Sequence, residues 1–262
     1  GKGCTLDPDA RAQSVSKFSL NGTPLSPNTV GDDIGGFKGA GNTIFYPQGT
    51  VSDFEGNIWI ASCSANHVTQ FPGGDPDQAF VIQETDDSDE TIVVAPFDVS
   101  IDPDGNAWVT GNESANVAKF DPDGDLIFNV SGDEAAEAGF KLPMGVATDT
   151  FGNAWVANSG FVTAPCDGNS VPGLLAFIAL TFDPDFKNPD ASVIKVNSDG
   201  TEIGSFKGGG ILMPWGISVD GGGNVWVSNF DGQTVSYFCG EDTGNCPPGL
   251  ETGDPIAPEG YY

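Results

Sequence analysis

One pattern occurs four times along the chain, and it constrains the fold more than any other feature. Residues 47–62, 96–111, 143–158 and 214–229 align without gaps. Each segment opens on proline, runs through alternating apolar residues into D-x-x-G-N, and then reaches a tryptophan after one variable position. The tryptophans are Trp59, Trp108, Trp155 and Trp226, at intervals of 49, 47 and 71 residues. Self-similarity at a nearly fixed spacing marks a chain built from repeated supersecondary units.

Each part of the pattern has a physical role. The aspartate side chain accepts from turn amides, and the glycine (Gly56, Gly105, Gly152, Gly223) takes a positive φ that other residues resist. Together they predict a tight hairpin between two strands. The second strand, Asn57-Ile58-Trp59-Ile60-Ala61 in the first unit, is apolar on both faces and needs a packed layer on each side. A third strand follows in His67-VTQF, Asn116-VAKF, Ser192-VIKV and Thr234-VSYF, and an outer fourth in Leu126-IFNV and Glu202-IGSF.

Four antiparallel strands in about 48 residues describe a propeller blade. The fold class is therefore all-β, a β-propeller of four-stranded antiparallel blades spanning residues 1–262 as one domain. The first strand of each blade lies innermost, and tryptophan fills the gap between neighbouring sheets. Ser14-VSKF and Ala257-Pro258-Glu259-Gly260-Tyr261-Tyr262 read as pieces of one blade split between the ends. Five units are then visible, in a five- or six-bladed ring. The long interval carries an insertion at about 159–190, including the apolar run Val171-PGLLAFIALTF, read as a cap or a partner-binding segment.

These motifs resemble the NHL-repeat propellers and the related streptogramin-lyase-like propellers over about residues 43–240. The resemblance implies that the loops between strands two and three share a binding face with the first-strand starts. Gln48, Phe97, Met144 and Trp215 lie next to the four prolines and differ while their frame is constant. With Asn112, Asn158, Asn229 and Asp231 on the loops, they form the expected ligand-binding set. Asn-His is common in NHL repeats where Asn66-His67 stands, so the resemblance gives His67 a structural role. Streptogramin lyases use histidine acid/base chemistry with a metal, which a single histidine in a repeat position does not supply. A metal-dependent lactonase needs only carboxylate and amide ligands on the axis and remains an alternative.

Composition narrows the partners. With 9 basic and 37 acidic residues the net charge is −28, which repels nucleic acid. No apolar run reaches the roughly 18 residues that span a bilayer. Asp86, Asp87 and Asp89 make an oxygen-rich loop without EF-hand spacing, so calcium is the cofactor to expect if there is one. Cys239 and Cys246 bracket a short loop and read as a disulfide. Cys4 and Cys63 are a second candidate pair, leaving Cys166 over. Disulfides point to an oxidising, extracellular or cell-surface setting. The resulting expectation is a secreted binding or scaffold propeller for a protein or carbohydrate ligand. An enzyme and a structural subunit of a surface assembly are the alternatives.

Overall fold

The computed structural model describes residues 13–30, 33–163, 166, 187–232 and 234–257. Four antiparallel sheets follow one another along the chain. Blade 1 comprises β3 (Pro47–Ser52), β4 (Ile58–Ser62), β5 (His67–Phe71) and β6 (Phe80–Ile82), preceded by a short hairpin of β1 (Thr29–Val30) and β2 (Asp33–Ile34). Blade 2 comprises β7 (Pro96–Ile101), β8 (Ala107–Gly111), β9 (Asn116–Phe120) and β10 (Leu126–Val130). A short helix, α1 (Gly132–Ala138), leads to blade 3, with β11 (Pro143–Thr148), β12 (Ala154–Asn158), β13 (Ser192–Val196) and β14 (Ile203–Phe206). Blade 4 has three strands, β15 (Pro214–Val219), β16 (Val225–Asn229) and β17 (Val235–Phe238). Its outer edge is completed by an isolated bridge from Phe238 to Pro255.

Among the described residues there are four blades, where the sequence led to the expectation of five units in a five- or six-bladed ring. The N-terminal stretch does not build a fifth sheet because it folds back on itself, with bridges Val15↔Phe37 and Phe18↔Pro24. Val15 and Phe37 then cover the outer face of blade 1, packing on Ile44, Ile60 and Phe71. Residues 258–262, the other half of the expected split blade, lie outside the described residues. Among those residues, no helix is long and apolar enough to cross a membrane.

Successive sheets pack face to face. Trp59 and Val68 of blade 1 meet Val99, Val109 and Ala118 of blade 2. Trp108 and Val117 of blade 2 meet Val146, Val156 and Ile194 of blade 3. Trp155 and Val193 of blade 3 meet Val225 and Val227 of blade 4. These three tryptophans have no solvent exposure. The two-sided apolar strands have the neighbours that their pattern requires.

Each tryptophan is also latched to its own hairpin. The indole Nε1–H donates to the aspartate six residues earlier: Trp59 to Asp53 at 2.9 Å, Trp108 to Asp102 at 3.3 Å, Trp155 to Asp149 at 2.9 Å and Trp226 to Asp220 at 2.8 Å. The other carboxylate oxygen accepts two turn amides, as in Asp149 with Phe151 and Asn153. A buried indole N–H and a carboxylate close to it each need a partner, and here they satisfy one another. Burial acts to raise the carboxyls of Asp53, Asp102 and Asp220, but hydrogen bonds hold all three below the usual range, from tryptophan and turn groups at Asp53 and Asp220 and from Lys119 and Asn106 at Asp102.

The latch predicts a graded response at position 155. Trp155→Phe keeps most of the apolar volume but strips a donor from Asp149, costing about 1–2 kcal/mol. Trp155→Ala adds a cavity between blades 3 and 4, for a total of about 3–5 kcal/mol. Urea denaturation of the two variants checks the order. A Trp155→Phe variant as stable as the parent would show that the indole N–H contributes nothing.

Candidate functional site

At each blade start the strand register shifts between the proline and the following pairs, a bulge that turns the second and third residues toward the axis. The residue before each proline has a positive φ: Tyr46 at 48°, Ala95 at 53°, Leu142 at 49° and Met213 at 50°. A residue before proline ordinarily adopts extended backbone, so the sequence offered no sign of this conformation. It is a strained state for a side chain with a Cβ, held four times by the surrounding fold.

The bulges bring three of the four expected ligand residues into one cluster. Phe97, Met144 and Trp215 gather with Ala95, Met213 and Tyr46 at one end of the blade axis. Met144 is fully buried and Phe97 nearly so, while Trp215 is half-buried. Trp215 meets Phe97 edge-on at 5.5 Å and lies against Phe230 at 5.2 Å. Phe230 is 52% exposed and was not singled out in the sequence, although it directly follows the strand-ending Asn229. Gln48 is half-buried at the equivalent position of blade 1.

The asparagines of the expected set hold loops together. Asn112 is buried and donates to the Pro143 carbonyl at 3.0 Å and the Val162 carbonyl at 3.1 Å. Asn158 donates to the carbonyls of Gly139 and Asp190 and to Ser192 Oγ, and its Oδ1 accepts from the Lys141 amide. Asn229 donates to Thr234 Oγ1 and Ser236 Oγ while accepting from the Leu212 amide. Asp231 accepts from the Gly232 amide next to it. Asp86, Asp87 and Asp89 sit on an exposed hairpin, where Asp86 caps the turn by accepting from Ser88 and Glu90. Among the described residues, no group of three or more His, Cys, Asp or Glu side chains is placed to share a metal ion.

The first residues of the insertion are tied to this end of the axis. Cys63, on the blade 1 loop, is bonded to Cys166 of the blade 3 insertion, with Cα atoms 5.2 Å apart. This corrects the expected pairing of Cys63 with Cys4, which lies outside the described residues. The sequence hid the partner because the two cysteines are 103 residues apart, and connectivity does not follow from spacing. The Cys239–Cys246 bond is as expected. Phe161 and Val162, from the first part of the insertion, join the apolar cluster beneath the bridge. The apolar run at 171–182 lies outside the described residues.

Deeper on the axis stands one carboxylate. Asp98 occupies the position that is Gly49, Gly145 and Gly216 in the other blades. Its oxygens accept from the Val99 amide at 2.9 Å and the Val146 amide of blade 3 at 3.1 Å. A Cβ placed on Gly49 of blade 1 would lie 2.2 Å from Asp98 Oδ1. One side chain therefore fills the space between the inner strands of three blades, and Gly49 is small because Asp98 is there. Burial pushes the Asp98 carboxyl up to about 6, against the two amides that act to lower it. The signal for this residue was the break in P-x-G at Pro96-Phe97-Asp98.

His67, the chain's one histidine, starts β5 and has Nε2 2.6 Å from the Thr43 carbonyl oxygen. Burial pulls its pKa below the ordinary value.

No protein-family model matches the chain, and no curated protein matches it. Solved structures do. The chain is similar to virginiamycin B lyase from Staphylococcus aureus at 14% identity and a TM-score of 0.56, over 88% of this chain and 61% of that one. It is similar to a chain of a nidogen/laminin complex at 12% identity and a TM-score of 0.51, over 74% and 60%. It is also similar to the extracellular domain of a hybrid two-component system from B. thetaiotaomicron, at 15% identity and a TM-score of 0.50, over 85% and 24%. The chain spans about three fifths of the lyase's length. The likeness shows the β-propeller fold.

Two outcomes are expected here. In the chain-entropy account, removing Cys63–Cys166 with serines costs about 4–5 kcal/mol and removing Cys239–Cys246 about 2–3 kcal/mol, because the first closes a far longer loop. Thermal unfolding of each variant compares them, and a larger loss at 239/246 would contradict the brace. For Asp98, the folded state keeps a proton between about pH 4 and 6 that the unfolded chain releases. The residue thus removes about 3 kcal/mol of stability as pH rises through that window. Urea midpoints at pH 4 and 7 should show Asp98→Asn gaining relative to the parent at pH 7 only. An equal difference at both values would remove the buried carboxylate from the account.

Proposed function

We propose that the chain is an extracellular binding or scaffold propeller that engages a protein partner across its braced end, with a carbohydrate as the alternative ligand. The observation that carries this reading is the Cys63–Cys166 bridge. It ties the blade 3 insertion to blade 1, while Asn112 of blade 2 holds the same insertion through Val162. An inserted segment fixed at its base in this way loses little conformational entropy when a partner docks on it. Exposed aromatic surface at Phe230, next to half-buried Trp215, supplies the kind of contact that dominates protein interfaces. The acidic surface favours a partner with a basic face and steers its approach. Two disulfides and the likeness to an extracellular domain support a location outside the cell.

A lyase reading takes its support from the fold alone. His67 is turned onto the Thr43 carbonyl and packs edge-on near Phe45 at 6.4 Å, so that reading would need other acid/base groups. Turnover of virginiamycin B by the purified chain would establish it in place of ours.

Photocrosslinking tests the binding reading. Phe230 is replaced by a benzophenone amino acid, with Ile127 on the outer strand of blade 2 as an equally exposed control. The protein is irradiated in the extracellular fraction of its source. A discrete adduct is expected from position 230, absent from position 127 and lost in the Cys63→Ser/Cys166→Ser protein. Indistinguishable adducts from both positions would contradict a partner surface at the braced end.

A further inference from the structure

The blade interfaces use the same positions each time, and blade 4 carries those positions on its outward face. In blades 1 to 3 the strand-two residues Ala61, Thr110 and Ala157 are fully buried, as are their third-strand partners Val68, Val117 and Val193 to within 3%. The equivalents in blade 4 are Ser228, which is exposed, and Val235, which is 37% exposed. Ser218, paired with Trp226, is exposed too, and Trp226 is half-buried where Trp59, Trp108 and Trp155 have no exposure.

The glycines agree. A Cβ on Gly49 would strike Asp98 of the next blade, and one on Gly145 would lie 2.7 Å from the Trp215 carbonyl oxygen of the next blade. A Cβ on Gly216 would meet, among the described residues, only Ser228 of its own blade. The position is nevertheless glycine, small as though a neighbour approached. In a chain with 37 acidic residues, the two rows of this face, Gly216–Ser228–Val235 and Ser218–Trp226–Tyr237, carry no charge.

We propose that the outward face of blade 4 is a docking surface for one more blade of the same kind, seated on it as blade 4 is seated on blade 3. The occupant is an antiparallel sheet whose innermost strand opens with P-x-G, so that its bulged backbone passes over Gly216 and its inner residues close over Trp226 and Val235. Continuity carries the choice of occupant. Three interfaces in this molecule already join an identical set of positions to such a sheet. The signature itself recurs in the sequence as Ala257-Pro258-Glu259-Gly260, in the pattern of Leu142-Pro143-Met144-Gly145 and Met213-Pro214-Trp215-Gly216. The chain reaches it along the outer edge of blade 4, where the Ile256 amide donates to the Tyr237 carbonyl at 2.8 Å. This inference concerns the sheet face, and it stands or falls apart from the proposed partner at the braced end.

The test compares the 262-residue chain with the same chain extended by a copy of blade 2, residues 96–142, joined through a short Gly-Ser linker. Cysteine is placed at Val235 or, as an exposed control, at Ile127. Its reaction with a thiol reagent is followed by peptide mass spectrometry. In the parent chain, kept at monomer mass, both positions should react at similar rates. In the extended chain the rate at 235 should fall at least tenfold while that at 127 is unchanged, and the thermal midpoint should rise. Val235→Glu should leave the parent folded and abolish the rise in the extended chain. Equal reactivity at 235 in the two chains would overturn the proposal. So would a parent chain that dimerises with position 235 shielded, since a second copy would then be the occupant.

Discussion

The bond from each tryptophan indole to the aspartate six residues before it is the interaction on which the blades depend. It joins the two places where a blade is most exposed to error. At one end is a hairpin turn whose register decides which face of the strand looks inward. At the other is a large ring that must enter the gap between two sheets without leaving its N–H orphaned. One carboxylate serves both, because its first oxygen collects turn amides and its second accepts the indole. With the indole placed, neighbouring sheets meet through a fixed set of valines and alanines, and the inner strands come close enough for glycine or a single aspartate to fill what remains between them.

From that stack follows the character of the axis end. The bulge and left-handed backbone at each proline turn the following side chains inward, so residues from different blades form one apolar cluster. The insertion of blade 3 is laid over that cluster, and its bridge to blade 1 passes blade 2, which holds it by an asparagine.

The periodic features of this fold were legible in the sequence. Proline, D-x-x-G-N and tryptophan at constant offsets gave three of the strand boundaries in each unit nearly to the residue, and even the shared position of Phe97, Met144 and Trp215. Three things escaped. The asparagines at 112, 158 and 229 were placed in the ligand set by the resemblance, with no sign of what they bond inside the fold. In the structure their hydrogen bonds span the loops, which only the tertiary neighbours reveal. The Cys63–Cys166 bridge joins distant blades and leaves no local trace. The blade count went wrong because Ser14-VSKF has the alternation of a third strand, yet Val15 packs on the face of blade 1 while Phe18 stays exposed. By contrast, the Asp–Trp latch was present in the sequence as a constant spacing of six, and it needed only to be read as a contact.

The most direct test of this account is the exchange of the indole Nε1 protons with deuterium, followed by NMR at neutral pH. The account requires the Trp59, Trp108 and Trp155 protons to exchange only through global unfolding, with protection matching the stability measured in urea. The Trp226 proton, bonded to its aspartate but half-buried, should exchange sooner through local opening. If the first three indole protons exchanged within minutes while the protein stayed folded, the tryptophans would not be sealed between sheets, and the stacked-blade architecture would be refuted.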